Sequence, residues 1–502
     1  MKLAENDLDD RVLFSIIYTF FTTILLFCSL SVLAEWSIKP NLRISETYTD
    51  NVRLGGGVGG GGGFGSEAGG SDFITQINPG VILTGENRRF DFQTSYRMNN
   101  ILFAKNDNRN RIRHNLNSRV TVELLKDLFF IDGIASIRQQ NATLTGIQTT
   151  DNANLAGNRA NIRRYSASPY LRYRFQNFAT TELRYTRGIV ESGTNGLRNS
   201  QRDSYQFNLN SGASFRVLTW GLDYSQQDIH FDGNSTRSGR SIELERSIAN
   251  LRYNITRRFG LTATGGYERN SFISIRGSPS SPTWTVGFIW KPNQRTDISA
   301  SAGKRFFGNT YSGDLKYRTR FTTWGASYKE DITTFNQGGG GFGGGGAFSG
   351  GGFLSDSNFL SNRLFLQKRL QAFVSFNGRK NTLSFRVFNR SRKAFSSAED
   401  DQELLGEDAQ LLNNTRQTGA NASWNYKFSP RTTANFRASI YRTKFMSAVD
   451  RKNDQKLFTA DLTRRFQQHL RGMLQYRRIE RNSNLSEDIK ANSVTVSLGM
   501  NF

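Results

Sequence analysis

The stretch Asn492–Phe502, NSVTVSLGMNF, sets Val494, Val496, Leu498, Met500 and Phe502 on one side of an extended chain and small or polar residues on the other. Successive side chains of a strand point to opposite faces, so a segment of this kind offers one row to lipid and one to an aqueous lumen. A closing strand that ends on an aromatic residue is the pattern of a bacterial outer-membrane β-barrel, and Phe502 is read as that C-terminal barrel signal.

The opposite end gives the same address. Residues Val12 to Leu33 are almost wholly apolar, Lys2 and Arg11 lie upstream, and Val32-Leu33-Ala34 supplies the aliphatic and small residues at which a signal peptidase cuts. Residues 1–34 are therefore expected to be a signal peptide and Glu35 the mature N-terminus. The acidic Glu5, Asp7, Asp9 and Asp10 are unusual in such a segment, and the apolar run is also long enough for an uncleaved anchor. The single cysteine, Cys28, lies inside the run, so the chain beyond it has no disulfide or thiolate-metal chemistry.

Beyond residue 34 there is no long apolar stretch, which excludes a helical membrane protein. A barrel passes that test because only alternate residues need be apolar. Phe 39, Tyr 17 and Pro 7 suit strands, since aromatic rings pack on pleated surfaces and proline removes ladder donors. The 66 basic residues against 42 acidic ones give a formal charge of +24. An excess of this size points to an anionic partner such as lipopolysaccharide or a charged polymer.

Along residues 35–502 the alternation recurs in about 22 segments of transmembrane-strand length, with a range of roughly 18–22. Trp36, Ile38, Leu42 and Ile44 oppose polar neighbours in the first; Trp284, Val286, Phe288 and Trp290 form another apolar row. Brief connections are expected at 85–87, 126–127, 257–258, 292–294, 429–431 and 466–468. Long ones are expected at 46–71, 141–163, 191–202, 232–240, 272–281, 336–359, 392–414, 444–454 and 480–488, while residues 308–322 read as either one strand or two short ones. The expected fold is all-β: one transmembrane antiparallel up-and-down outer-membrane barrel whose short turns and both termini face the periplasm. Strand-like sequence begins almost at Glu35, so no plug domain is expected.

Two expected outer loops, 55–70 and 338–353, are glycine-rich, the first with GGGVGGGGGFG at 55–65 and the second reading GGGGFGGGGAFSGGGF. Neither ends in the Gly-Lys-Ser/Thr of a phosphate-binding loop. They read as loops with little fixed structure, or as gates folded into the mouth by Phe64, Phe342, Phe348 and Phe353.

Many basic residues oppose the apolar rows and are expected to form a basic lumen wall: Arg97, Arg113, Arg119, Arg172, Arg174, Arg184, Lys316, Arg318, Arg363, Arg369, Arg386, Arg471 and Arg477. Such arginines either brace the wall against lumen carboxylates, for which Asp91, Glu123, Glu182, Asp223, Glu243 and Glu245 are available, or lower the energy of an anion in the pore. His114, His230 and His469 stand in no zinc-spaced pair, so neither a metal nor a cofactor is expected. Asp228 and His230 share a strand face and resemble the aspartate-histidine pair of the omptin proteases. The Asp-x-Asp pair of those enzymes does not occur after residue 34, so no catalytic site and no enzymatic activity are expected. No nucleic-acid recognition element is present.

The stretches WSIKPNLRISETYTDNVRL at 36–54, PTWTVGFIWKPNQRT at 282–296 and YRTRFTTWGASYKEDIT at 317–333 resemble the outer-membrane protein family associated with the PEP-CTERM system. Members of that family are encoded beside exosortase and exopolysaccharide genes in Gram-negative bacteria, so the resemblance implies a passive conduit or scaffold for export of a polysaccharide, here an anionic one. The expected partners are outer-membrane lipid and lipopolysaccharide, the barrel-assembly machinery, the polysaccharide and periplasmic export proteins. The competing expectations are a general anion-preferring porin and a structural or adhesive barrel that holds lipopolysaccharide or secreted polymer.

Overall fold

A computed structural model describes residues 35–54, 70–149, 154, 159–193, 197–233, 239–275, 278–333, 361–402, 406–447 and 450–502. Residues 1–34, and with them the expected signal peptide, lie outside the described residues, as do the glycine-rich stretches 55–65 and 338–353 with Phe64, Phe342, Phe348 and Phe353.

Alternation along the chain produces 22 strands: β1 (Glu35–Thr49), β2 (Asp72–Asn87), β3 (Phe90–Phe103), β4 (Arg111–Leu125), β5 (Phe129–Asn141), β6 (Arg159–Phe175), β7 (Ala179–Ser192), β8 (Ser200–Ser211), β9 (Leu218–Phe231), β10 (Arg240–Asn254) and β11 (Phe259–Ser271). The second half continues with β12 (Ser281–Asn293), β13 (Thr296–Arg305), β14 (Gly308–Arg318), β15 (Thr322–Thr333), β16 (Phe365–Asn377), β17 (Asn381–Ala394), β18 (Asn414–Ser429), β19 (Thr432–Met446), β20 (Asp450–Arg465), β21 (Leu470–Ser483) and β22 (Ile489–Asn501). Each pairs antiparallel with its neighbours in the chain. The sheet closes where β1 meets β22, with Asn41 opposite Asn501 and Thr49 opposite Ser493. On the inner face of that seam the Thr47 and Thr495 hydroxyls hydrogen-bond at 2.9 Å, and at its lower end Phe502 N donates to Pro40 O at 2.9 Å. Closure leaves no unpaired sheet edge for lipid to meet, which is what a strand-built membrane span requires. Among the described residues no helix is long and apolar enough to cross a membrane.

The turns after even-numbered strands are short, from Arg88-Arg89 after β2 to residues 212–217 after β8, and define the periplasmic end. Residues 85–87 belong to β2 rather than to a turn, because Gly85 pairs with Trp36 and its missing side chain leaves room for the indole. Most outer connections are long. The loop expected at 444–454 is reduced to 447–449, and the β13–β14 connection is only Phe306-Phe307. Gly308 follows that connection at φ +109°, a conformation that costs glycine little and lets the hairpin reverse within two residues. Residues 308–318 are thus one strand, β14, and the turn 319–321 leads into β15 at Thr322.

In the lower two-thirds of the wall the rows behave as lipid and water dictate. Ile38, Val496 and Leu498 face outward at 65%, 54% and 52% exposure, among a periplasmic aromatic row that includes Trp36, Phe92, Trp220 and Trp424. An outer row of tyrosines, among them Tyr165, Tyr185, Tyr205, Tyr224 and Tyr267, marks the other limit of the apolar band. Beyond that row the polarity inverts. Ile74, Ile101, Phe103, Ile162, Ile229 and Ile242 point inward and are buried, while Asp228, His230, Glu243 and Glu245 point outward. The inversion has a direct cause: the outer end of the lumen is filled by protein, and the outward face there has left the hydrocarbon.

Candidate functional site

The filling of the mouth starts with a strap. After β5 the chain crosses from the β5–β6 wall to β19–β22, and residues Thr143, Leu144, Thr145, Ile147 and Gln148 become almost fully buried. The Thr145 carbonyl accepts from Arg481 Nη1 at 3.1 Å, Asn453 Nδ2 at 3.3 Å and Arg451 Nη2 at 3.3 Å, all from the far wall. Gln455 is bonded at both ends of its amide, donating to Gln148 O at 2.8 Å and accepting from Gln148 N at 3.3 Å. Ile147 enters an apolar cluster with Leu54, Ile479, Ile489 and Ala491, and Leu144 enters another with Phe365, Leu412 and Phe445. Each buried aliphatic side chain contributes about 1.5–3 kcal/mol, so these two anchors hold the strap as firmly as its hydrogen bonds do.

Packed against the strap is a lid of two pieces, residues 361–364 and, beyond β17, residues 395–402 with 406–413, the second piece containing two short 3-10 helices, Ala398–Asp401 and Gly406–Asn413. Its centre is Arg363, fully buried, which donates to Ser396 O at 3.0 Å, Ala409 O at 3.2 Å and the Asn413 side chain. A buried guanidinium is tolerated only where its donors are used, and here they tie together the two pieces of lid. Burial holds the Arg363 pKa below the usual arginine value, with the neighbouring Asp401 and Asp400 acting against the shift. Asp401 is also buried, accepting from Ser361 Oγ at 2.5 Å and Asn362 N at 2.7 Å. Desolvation pushes its carboxyl up to about 6, against the opposing pull of Ser361, Arg363 and Asn362. The lid is fastened to the rim by Arg240, which pairs with Asp400 and donates to Asn362 O at 2.7 Å. Phe395 packs with Phe272 and Phe306 over the β13–β14 hairpin.

Below the strap the lumen wall is basic. The strand register turns Arg97, Arg113, Arg119, Arg172, Arg174, Arg184, Lys316, Arg318, Arg369, Arg386, Arg471 and Arg477 inward. It turns Arg43 and Arg164 inward as well, in line with the alternation of their strands, together with Arg202, Arg246, Arg305, Arg390, Arg392 and Arg437, which the sequence pattern alone does not single out. Part of this wall is cross-braced: Arg184 reaches Asp132 at 2.8 Å and Glu182 at 3.0 Å, Arg172 reaches Glu182 at 2.8 Å, and Glu268 lies between Arg305 at 2.8 Å and Arg246 at 3.2 Å. Among the described residues Arg97, Arg119, Arg174, Arg318 and Arg471 form no ion pair. Bracing and an uncompensated positive wall therefore coexist in different sectors.

Three expected positions need correction. Arg363 is not on the wall at all, because β16 begins only at Phe365 and the chain before it has already folded across the mouth. Glu243 and Glu245 are not lumen carboxylates; they face outward, since Ile242 and Leu244 take the inward positions against the lid. Asp228 and His230 also face outward, His230 Nδ1 within 3.0 Å of Ser241 Oγ and Asp228 accepting from Gln226 at 3.2 Å. His114 faces outward beside the Tyr96 hydroxyl at 2.8 Å. Among the described residues no group of three or more potential metal ligands comes together. The strap was missed because an irregular loop has no period to read. The signal that could have found it is the apolar doubling at strand tips, as in Phe73-Ile74 and Ile101-Leu102-Phe103, where a lumen position is apolar without lipid to explain it.

No protein-family profile and no curated protein matches the chain at the level of sequence. The fold is similar to that of the FrpB iron transporter from Neisseria meningitidis, with a TM-score of 0.52 at 10% identity over 92% of this chain and 82% of that one. It is similar, too, to a mutant of the ferric enterobactin receptor PfeA from Pseudomonas aeruginosa in complex with enterobactin, with a TM-score of 0.54 at 9% identity over 93% and 82% of the two chains. At such identities the likeness is one of fold, and with the closed sheet and its lipid-facing rows it makes this chain a large β-barrel of the Gram-negative outer membrane.

Proposed function

We propose that the barrel is a loop-closed conduit for anionic cargo, and that the cargo class is an acidic polysaccharide leaving the cell. The observation that carries the reading is the strap: a segment bonded through one carbonyl to three side chains of β20 and β21 obstructs the mouth, and these hydrogen bonds are of a kind that a cargo or partner can replace. An always-open porin has no use for such a closure. The barrier in this reading is made of the barrel's own loops. The unpaired Arg97, Arg119, Arg174, Arg318 and Arg471 favour carboxylate or phosphate groups without a fixed site that would retain them, which is what passage needs. The large strand number gives a lumen wide enough for a hydrated chain. The polysaccharide, the periplasmic partners and the passive, non-enzymatic mechanism rest on the resemblance to the PEP-CTERM-associated family.

The test uses a strap-weakened barrel in a planar bilayer, with acidic and neutral oligosaccharides of equal length added to the periplasmic side. The reading requires block by the acidic series at concentrations at least about tenfold lower. Equal block by both would remove the anionic-polymer assignment.

A further inference from the structure

Above the tyrosine row the outward face of the barrel is divided by charge. On β18, β19 and β20, Arg416 stands opposite Lys444 and Lys444 opposite Lys452, three basic side chains in one cross-strand row. Neighbouring strands lie about 4.8 Å apart, and like charges placed directly opposite repel. Such a row is relieved by anions, and among the described residues the surface itself supplies only Asp450 beside Lys452 and Asp454 near Lys444. Lys444 is exposed and carries no ion pair among the described residues, Lys452 reaches the exposed Asp450 at 2.7 Å, and Arg416 donates to Asn389 at 3.2 Å. The next outward positions add Arg442 and Lys456, of which Arg442 is held by Asp454 at 2.6 Å and Lys456 lies 3.8 Å from Glu480. Lys490 on β22, opposite Glu480, extends the patch.

The sector on the other side of the barrel is the reverse. Asp203, Asp228 and Glu243 form a cross-strand row on β8, β9 and β10, flanked by Glu245, with Arg187 and Arg269 as the basic neighbours.

We propose that the Arg416–Lys444–Lys452 row binds the phosphate groups of lipopolysaccharide in the outer leaflet, and that the acidic sector does not. The height favours this occupant. In β19 to β21 the outward residues change from apolar to charged within two positions, Ile440 to Arg442, Phe458 to Lys456 and Tyr476 to Arg478, and in β22 they change from Val494 through Asn492 to Lys490, so the basic row stands where acyl chains give way to phosphorylated sugar. The acidic row of a second copy is the competing partner. The two rows lie on opposite sides of the barrel, so that contact would build an open line of copies instead of a closed oligomer. This inference does not depend on whether anything passes through the lumen.

The experiment is native mass spectrometry of the folded, delipidated full-length barrel titrated with bisphosphorylated lipid A and with its dephosphorylated form. The bisphosphorylated lipid should bind at least tenfold more tightly, and the triple variant R416Q/K444Q/K452Q should lose that preference. Removing like-charge repulsion leaves its folding intact, checked by heat-modifiable migration on gels. The acidic-sector variant E243Q/E245Q should bind as the wild type does. Equal binding of the two lipids, equal binding by the triple variant, or lines of copies broken by E243Q/E245Q would each overturn the assignment.

Discussion

The Thr145 carbonyl accepts a hydrogen bond from the Arg481 guanidinium at 3.1 Å, joining a loop that leaves β5 to a strand 336 residues further along the chain. A hydrogen bond to a charged donor is worth about 1.5–3 kcal/mol, which corresponds to roughly 10- to 150-fold in an opening equilibrium. Arg481→Ala is therefore expected to raise the fraction of open channels by at least about tenfold while leaving heat-modifiable barrel migration unchanged. An open fraction equal to that of the wild type would mean that the strap does not depend on this bond.

Arg363 joins the two pieces of the lid through three acceptors. Its replacement by methionine leaves the Ser396 and Ala409 carbonyls buried without their donor, at about 1–3 kcal/mol for each group. Limited proteolysis should then cut within 395–413 much faster than in the wild type, with the strands still protected. Unchanged cleavage would place the lid's stability elsewhere.

Asp401 gives the lid a pH dependence of predictable sign. Its folded-state carboxyl is pushed up to about 6, above the ordinary value of 3.8, so the folded lid binds the extra proton and is most stable below that ordinary value. That stability is lost as pH rises through 6. The groups around it are Ser361, Asn362, Arg363 and Asp400, with Arg240 behind Asp400. Between pH 5 and 7, lid opening followed by hydrogen exchange, corrected for its intrinsic rate, should increase roughly tenfold. In Asp401→Asn this component should vanish; its survival would assign it to another group.

Gly266 faces the lumen on β11, opposite Ile248 of β10. A Cβ at this position would lie 1.9 Å from Ser247 O and 2.9 Å from Ile248 Cα, backbone atoms that cannot swing aside. Gly266→Ala should destabilise the barrel by about 1–3 kcal/mol and lower the refolded yield. At the adjacent Gly265 nothing lies within 4 Å, and Gly265→Ala should refold normally. Equal yields for the two variants would contradict the close approach of β10 at Gly266.

The strand count, the closure and the periplasmic turns were legible in the sequence because lipid on one side and water on the other impose a period of two. Val494 to Phe502 and Trp36 to Ile44 carry it with little interruption. The outer third was misread for a physical reason. Above Tyr224 the inner face becomes dry and the outer face becomes wet, so the apolar row of β10 turns inward with Ile242 and Leu244 and carries Glu243 and Glu245 outward. Arg363 was misplaced because its spacing from Phe365 continues the lumen row, although the chain leaves the wall between them. The strap rests on contacts between residues far apart in the chain, 307 positions for Gln148 and Gln455, and no local pattern encodes those.

Single-channel recording compares the wild type with a variant lacking residues 142–149, both under a salt gradient. A strap that closes a basic lumen predicts little or no conductance for the wild type and a large conductance for the deletion variant, with a reversal potential on the anion-selective side. A wild-type channel as wide as the deletion variant, or a cation-selective lumen in the variant, would contradict it.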